Sequence, residues 1–64
     1  MKIGPGANEE LSEMLLILEN IQERCQYVQR HGELSLSDMA YLGRELAELH
    51  TEFVAFSGAL NDGE

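Results

Sequence analysis

Two stretches of this sequence repeat their apolar residues at alternating spacings of three and four. Side chains at that spacing lie on one face of an α-helix, so the pattern predicts two amphipathic helices. The first stripe contains Leu11, Met14, Leu18, Ile21, Cys25 and Val28, and the second contains Met39, Leu42, Leu46, Leu49, Phe53, Phe56 and Leu60. Each helix must therefore bury one long apolar face, which constrains the fold more than any other feature.

The first helix is bounded by a proline and a glycine. The Gly-Pro-Gly segment at 4–6 disfavours helix, so residues 1–8 are expected to form a flexible tail. Asn8 is a suitable N-cap for helix 1, which is predicted at about 9–31. Gly32 is the expected left-handed residue after its last turn.

The second helix has a readable start. Ser35 is the expected N-cap, and Asp38 three residues later completes a variant of the capping box. Helix 2 is then predicted to run from about 36 to 57 or 60, and residues 61–64 to form a polar tail.

The predicted fold is all-α, an antiparallel helical hairpin over residues 9–60. The connection is short, so the two helices must run antiparallel. Folding about Glu33 makes every layer between the stripes apolar. The expected pairs are Val28 with Met39, Cys25 with Leu42, Ile21 with Leu46, Leu18 with Leu49, Met14 with Phe53 and Leu11 with Phe56.

A chain of 64 residues rarely buries enough apolar surface to fold alone. Cys25 is the only cysteine, so no intrachain disulfide is available and oligomerisation remains. Apolar residues also flank the first stripe, and helix 2 carries a second stripe of mostly small residues. We therefore expect a homodimer that forms a four-helix bundle. Its predicted interface comprises Leu15, Ile17, Ala40, Gly43, Ala47, His50 and Val54.

The formal net charge is −8, from 12 acidic and 4 basic residues. Nucleic-acid-binding proteins need clustered cations, so this composition argues against direct binding to nucleic acid or to an anionic membrane. The apolar runs are too short to span a bilayer, and the first residues lack the apolar segment of a signal peptide. A cytoplasmic location is expected.

No arrangement of residues indicates catalysis, a metal site or a cofactor site, so an enzyme is not expected. Cys25 falls on the apolar stripe, where a buried thiol behaves as a small hydrophobe. Glu48 and His50 are two residues apart and point to different faces of helix 2, which does not suit a di-iron bundle. His50 is interpreted as an interface residue.

Three large side chains lie off both stripes: Leu16, Tyr27 and Tyr41. Leu16 and Tyr27 are eleven residues apart, so they point the same way at a separation of roughly 16 Å. They are interpreted either as single exposed apolar residues or as a patch that docks a partner protein. The surrounding carboxylates would favour a partner with a basic surface.

In length, hairpin form and Gly/Asp-containing tail, the chain resembles the Rop family of plasmid copy-number proteins. That resemblance implies a nucleic-acid-associated dimer, although Rop uses a basic helix face that this chain lacks. The hairpin form is also similar to short phosphatases of sporulation response regulators. Their second helix carries a motif of the type Ser-Gln-Glu-Leu-Asp. Residues 43–47 of this chain match it only at Glu45 and Leu46, and Ala47 stands where the family has its functional Asp.

The leading hypothesis is a small acidic homodimeric regulator that binds and inhibits or modulates another protein. Such a chain suits a phage- or mobile-element-encoded inhibitor. The alternatives are a Rop-like nucleic-acid-associated adaptor and, ranked last, a helical-bundle metal protein or enzyme.

Overall fold

The computed structural model describes residues 2–63, with side chains described over residues 2–60. It contains helix α1, Pro5–His31, and helix α2, Leu36–Gly63, packed against each other as an antiparallel hairpin. Residues 2–63 contain no strand. The predicted all-α hairpin is confirmed, and it forms a thin rod of 46 × 16 × 13 Å.

Helix α1 begins four residues earlier than predicted. Gly4 is its N-cap in extended conformation, and Pro5 occupies the first turn, where the missing N–H removes no helical hydrogen bond. The backbone N–H of Asn8 donates to Gly4 O at 3.0 Å, so Asn8 is a helical residue. The predicted cap at Asn8 is therefore wrong, as is the predicted tail over residues 5–8, and Ala7 is buried. Met1 lies outside the described residues.

The turn between the helices follows the sequence signals closely. Gly32 has a φ of 71° and its N–H donates to Val28 O at 2.8 Å, which confirms the left-handed cap. Ser35 and Asp38 form the reciprocal capping box. The Ser35 N–H donates to Asp38 Oδ2, and the Asp38 N–H donates to Ser35 Oγ, both at 3.0 Å.

Helix α2 extends to Gly63, beyond the predicted end at 57 or 60. Gly58 does not stop it, because an interior glycine lowers helix propensity by only about 1 kcal/mol and does not break the hydrogen-bond ladder. The predicted polar tail is therefore helical over residues 61–63, and Glu64 lies outside the described residues.

The two helices contact each other along a line that is rotated from the predicted stripes. The residues along the line of contact are all buried or half-buried, and they include Glu10, Met14, Ile17, Ile21, Arg24 and Val28 of α1 and Asp38, Leu42, Glu45, Leu49, Glu52 and Phe56 of α2. Six of the 13 predicted stripe residues lie on this line, and Leu11 and Leu60 are half-buried as well. The other five, which are Leu18, Cys25, Met39, Leu46 and Phe53, are exposed, so the predicted layers are wrong for them.

The rotation has a physical cause in polar pairs between the helices. Asn20 donates to Glu45 at 3.2 Å, and Arg24 donates to Asp38 at 2.9 Å. Arg24, Asp38 and Glu45 lie on the contact line itself, and Asn20 lies beside it. Each apolar stripe therefore shares the contact line with polar side chains, and the rest of the stripe lies on the open side away from Asn20.

The hairpin buries few apolar side chains. Among residues 2–60 only Ala7 and Ile17 are buried apolar residues, at 2% and 8% exposure. The surface of 4882 Å² exceeds the roughly 4,100 Å² expected for this mass, and the radius of gyration of 14.6 Å exceeds the expected value of about 11 Å. Burying a large aliphatic side chain is worth about 1.5–3 kcal/mol. Each half-exposed stripe residue therefore leaves about 1 kcal/mol unrealised.

Candidate protein-binding surfaces

The hairpin has two faces of different character. In each helix, the residue that follows a contact-line residue in the sequence lies to one side of the line, and the residue that precedes it lies to the other side. Because the helices run antiparallel, the following residues of α1 and those of α2 lie on the same face of the hairpin. We call it the apolar face, comprising Leu11, Leu18, Cys25, Met39, Leu46 and Phe53. The opposite polar face comprises Glu13, Asn20, Tyr27, Tyr41, Glu48 and Ala55.

The apolar face is exposed and carries no charge. Leu18, Met39, Leu46 and Phe53 are 45–56% exposed. The positions that flank this face are Leu15, Gln22, Gln29, Gly43, His50 and Ser57, and none of them is Asp, Glu, Lys or Arg. One quarter of the whole chain is charged, so the charge is concentrated elsewhere. An exposed apolar strip of this length is typical of a contact surface.

Asp38 anchors the loop end of the polar face. Its carboxylate accepts the Ser35 N–H of the capping box and, through Oδ1, the Arg24 guanidinium at 2.9 Å. The hydrogen bonds from Ser35 and the Arg24 charge lower the pKa of Asp38, although partial desolvation opposes them. The Asp38 carboxylate thus links the turn and the start of α2 to Arg24 on α1.

Aromatic rings and cations stack beside that carboxylate. The Arg24 guanidinium lies 4.2 Å from the centre of the Tyr41 ring, and the Arg44 guanidinium lies 6.0 Å from it. On α1, the Tyr27 and His31 rings stack with centres 4.1 Å apart, and His31 Nδ1 lies 2.9 Å from Tyr27 O. The cation–π contact thus favours one orientation of the Tyr41 ring, and the contact with His31 favours one orientation of the Tyr27 ring.

These side chains border an open groove of about 980 Å³ between the helices at the loop end. Tyr27 and Tyr41 form two of its walls, and its polar lining includes Arg30 and Glu33. The groove presents two aromatic rings with cations and carboxylates around them. Aromatic and arginine side chains are the residues that most often anchor protein interfaces.

At the other end of the hairpin, two carboxyl groups meet across the helix contact. A hydrogen bond with Glu10 raises the pKa of Glu52, and partial burial and Coulomb repulsion from Glu10 add to the effect. Glu10 Oε2 is buried without a hydrogen-bond partner in the described structure. Protonation of Glu52 therefore relieves the repulsion in this contact.

The predicted partner patch is only partly brought together. Tyr27 and Tyr41 both line the groove, and Tyr41 is half-buried. Leu16 is 57% exposed and does not line the groove. It lies three helical turns from Tyr27, roughly 16 Å away.

The predicted dimer interface loses one member. Ile17 is buried inside the hairpin, because it sits on the contact line with α2, so a second copy cannot reach it. The other members, which are Leu15, Ala40, Gly43, Ala47, His50 and Val54, are all exposed. A Cβ built on Gly43 meets nothing within 4 Å, so nothing in the hairpin requires this glycine. The small-residue stripe faces away from α1 and stays a predicted interface.

Cys25 is an exposed free thiol in the hairpin, which corrects its predicted burial against Leu42. Sequence reasoning missed the polar contact positions, although their spacing gave a signal. Asp38, Glu45 and Glu52 recur every seven residues on the contact line of α2. Among residues 2–63, no group of three or more His, Cys, Asp and Glu side chains is placed to hold a metal ion.

Neither helix, over the described residues, is long and apolar enough to cross a membrane. A scan against protein-family models and searches of curated proteins and of solved structures found no match to this chain. The two faces, with their different chemistry, are the features of the molecule that point to a function.

Proposed function

We propose that this chain is a small acidic homodimeric regulator that binds another protein and inhibits or modulates it. One observation carries the proposal, namely the division of the hairpin into an uncharged apolar face and a charged, aromatic polar face. The first suits permanent contact with a second hairpin in a four-helix bundle, and the second suits reversible recognition.

The polar face has the features of a recognition surface. Tyr27 and Tyr41 are held by stacking before any partner arrives, so little conformational entropy is lost when they are covered. The net charge of −8 supports a partner with a basic surface, since complementary charge speeds association and selects the partner. The cytoplasm is the proposed location.

The test is capture of a partner from lysate by immobilised protein, compared between matched variants. Leu16→Gln/Tyr27→Gln removes two exposed side chains of the predicted patch, and Leu36→Gln removes one that is 89% exposed outside it. We expect the double variant to lose a specific captured protein that wild type and Leu36→Gln retain. Capture that is equal for all three proteins would contradict the patch.

A Rop-like adaptor is the second candidate, and one observation favours it. Arg24, Arg30 and Arg44 all lie around the loop end of the polar face. Asp38 already pairs with Arg24, however, and the chain as a whole is acidic. Nuclease treatment separates the two proposals, because it would release a partner held through nucleic acid and leave a directly bound protein in place.

A further inference from the structure

We propose that a second copy of this chain covers the apolar face, and that this face, rather than the small-residue stripe of α2, is the dimer interface. The proposal rests on the homodimer of the proposed function and specifies its surface. The apolar face comprises Leu11, Leu18, Cys25, Met39, Leu46 and Phe53. Leu11 is half-buried in the single hairpin, and the other five residues are exposed.

The side of the hairpin that carries the apolar face is large enough for a stable dimer contact. The hairpin is 46 Å long and 16 Å wide, so one side of it offers a footprint of about 700 Å². A standard protein interface buries about 800 Å² on each partner. The face also has no charged residue that would be desolvated on contact, which keeps the net charge of both copies on the outside.

We favour a second copy over a different protein because the apolar face must be buried whenever the chain is folded. Only Ala7 and Ile17 are buried apolar residues within residues 2–60, so a lone hairpin has almost no core. A surface that the fold itself depends on must be covered whenever the chain is folded, and another copy is the one partner always present with it.

The face is also complementary to itself. The hydrogen bonds between the helices place Leu18 of α1 and Leu46 of α2 at about the same level along the hairpin. With the loops at opposite ends, a two-fold axis that pairs Leu18 with its counterpart therefore also pairs Leu46 with its counterpart, and Met39 with Phe53 of the second copy. With the loops at the same end, Leu18 meets Leu46 of the second copy and Leu11 meets Phe53. Both arrangements place apolar side chains together, as a two-fold interface requires.

Two variants of matched exposure test the surface by sedimentation equilibrium. Leu46 is 54% exposed on the apolar face and Val54 is 55% exposed on the small-residue stripe. We expect wild type to sediment as a dimer, Leu46→Lys to weaken dimerisation about 100-fold or more, and Val54→Lys to change it less than about 3-fold. Lysine lowers the net negative charge in both, so general repulsion does not explain a difference. Dissociation by Val54→Lys alone would overturn the proposal.

Because Leu46→Lys can unfold as well as dissociate, thiol labelling gives a second measurement on folded protein. In dimeric wild type the Cys25 thiol should react at least about 10-fold more slowly with a maleimide than the thiol of Leu16→Cys/Cys25→Ala. Leu16 is 57% exposed and lies on the opposite side of α1. Equal rates in a protein shown to be dimeric would overturn the proposed face and leave the homodimer intact. A folded wild-type monomer would overturn both.

Discussion

At the scale of single residues, Asp38 illustrates how one side chain settles the geometry of a turn. It caps α2 through Ser35 and reaches across to Arg24 on α1, with all three hydrogen bonds at 2.9–3.0 Å. The capping box was readable from the sequence because it is local. The contact with Arg24 was not, because it depends on how α1 is rotated.

Ser35→Ala should lower the free energy of unfolding by about 1 kcal/mol, because the Asp38 N–H loses its side-chain acceptor. Ser37→Ala is the control. Ser37 is exposed in the same turn and makes no side-chain hydrogen bond in the described structure, so its removal should change stability by no more than about 0.5 kcal/mol. Thermal or urea unfolding measures both, and equal losses would show that the capping box contributes nothing.

Gly43→Ala should raise the free energy of unfolding by up to about 1 kcal/mol, since alanine favours helix and its Cβ meets nothing within 4 Å. The same variant examines the small-residue stripe. If α2 packs closely on another helix at Gly43, the added methyl group should instead lower the melting temperature, and Gly43→Leu should lower it further.

At the scale of the two helices, the contact between α1 and α2 contains acidic groups that apolar patterning did not reveal. Glu10 and Glu52 meet near one end, and the raised pKa of Glu52 means that the folded state holds its proton more tightly than the unfolded chain. Stability should therefore rise as the pH falls from about 7 toward the ordinary glutamate range near 4.3. Asp38 has a lowered pKa, so stability should be lost again as the pH falls below the ordinary aspartate range.

Glu52→Gln should raise the melting temperature at neutral pH and flatten its increase toward pH 5, because an amide neither repels Glu10 nor titrates. Glu48→Gln is the matched control. It removes the same charge from the same helix at an exposed position one turn away. Identical pH profiles for the two variants would show that general charge, rather than the carboxyl pair, sets the pH dependence.

At the scale of the whole molecule, the rod shape and the small core predict that folding depends on association. The melting temperature should therefore fall by several degrees for each roughly 100-fold dilution, because unfolding of a dimer releases two chains. Calorimetry at high concentration and circular dichroism at low concentration measure this dependence. A melting temperature that stays constant over that range would mean that the hairpin is stable as a monomer.

The sequence alone determined the number of helices, their antiparallel order and the chemistry of the turn. These follow from apolar periodicity, chain length and the local capping residues Gly32 and Ser35, none of which needs knowledge of distant contacts. The sequence did not predict the start at Pro5, because a Gly-Pro-Gly segment usually disfavours helix. In the first turn, however, a proline is compatible with a helix even when glycines flank it.

Only the tertiary structure decided which way each helix faces. Apolar stripes fix the direction of burial to within about one residue, or 100° of helix rotation, and the polar pairs from Arg24 to Asp38 and from Asn20 to Glu45 select within that range. That rotation places Leu18, Cys25, Leu46 and Phe53 on an open face instead of inside the hairpin. Apolar periodicity predicts which side chains are buried, but only the packing decides whether the same chain or another one buries them.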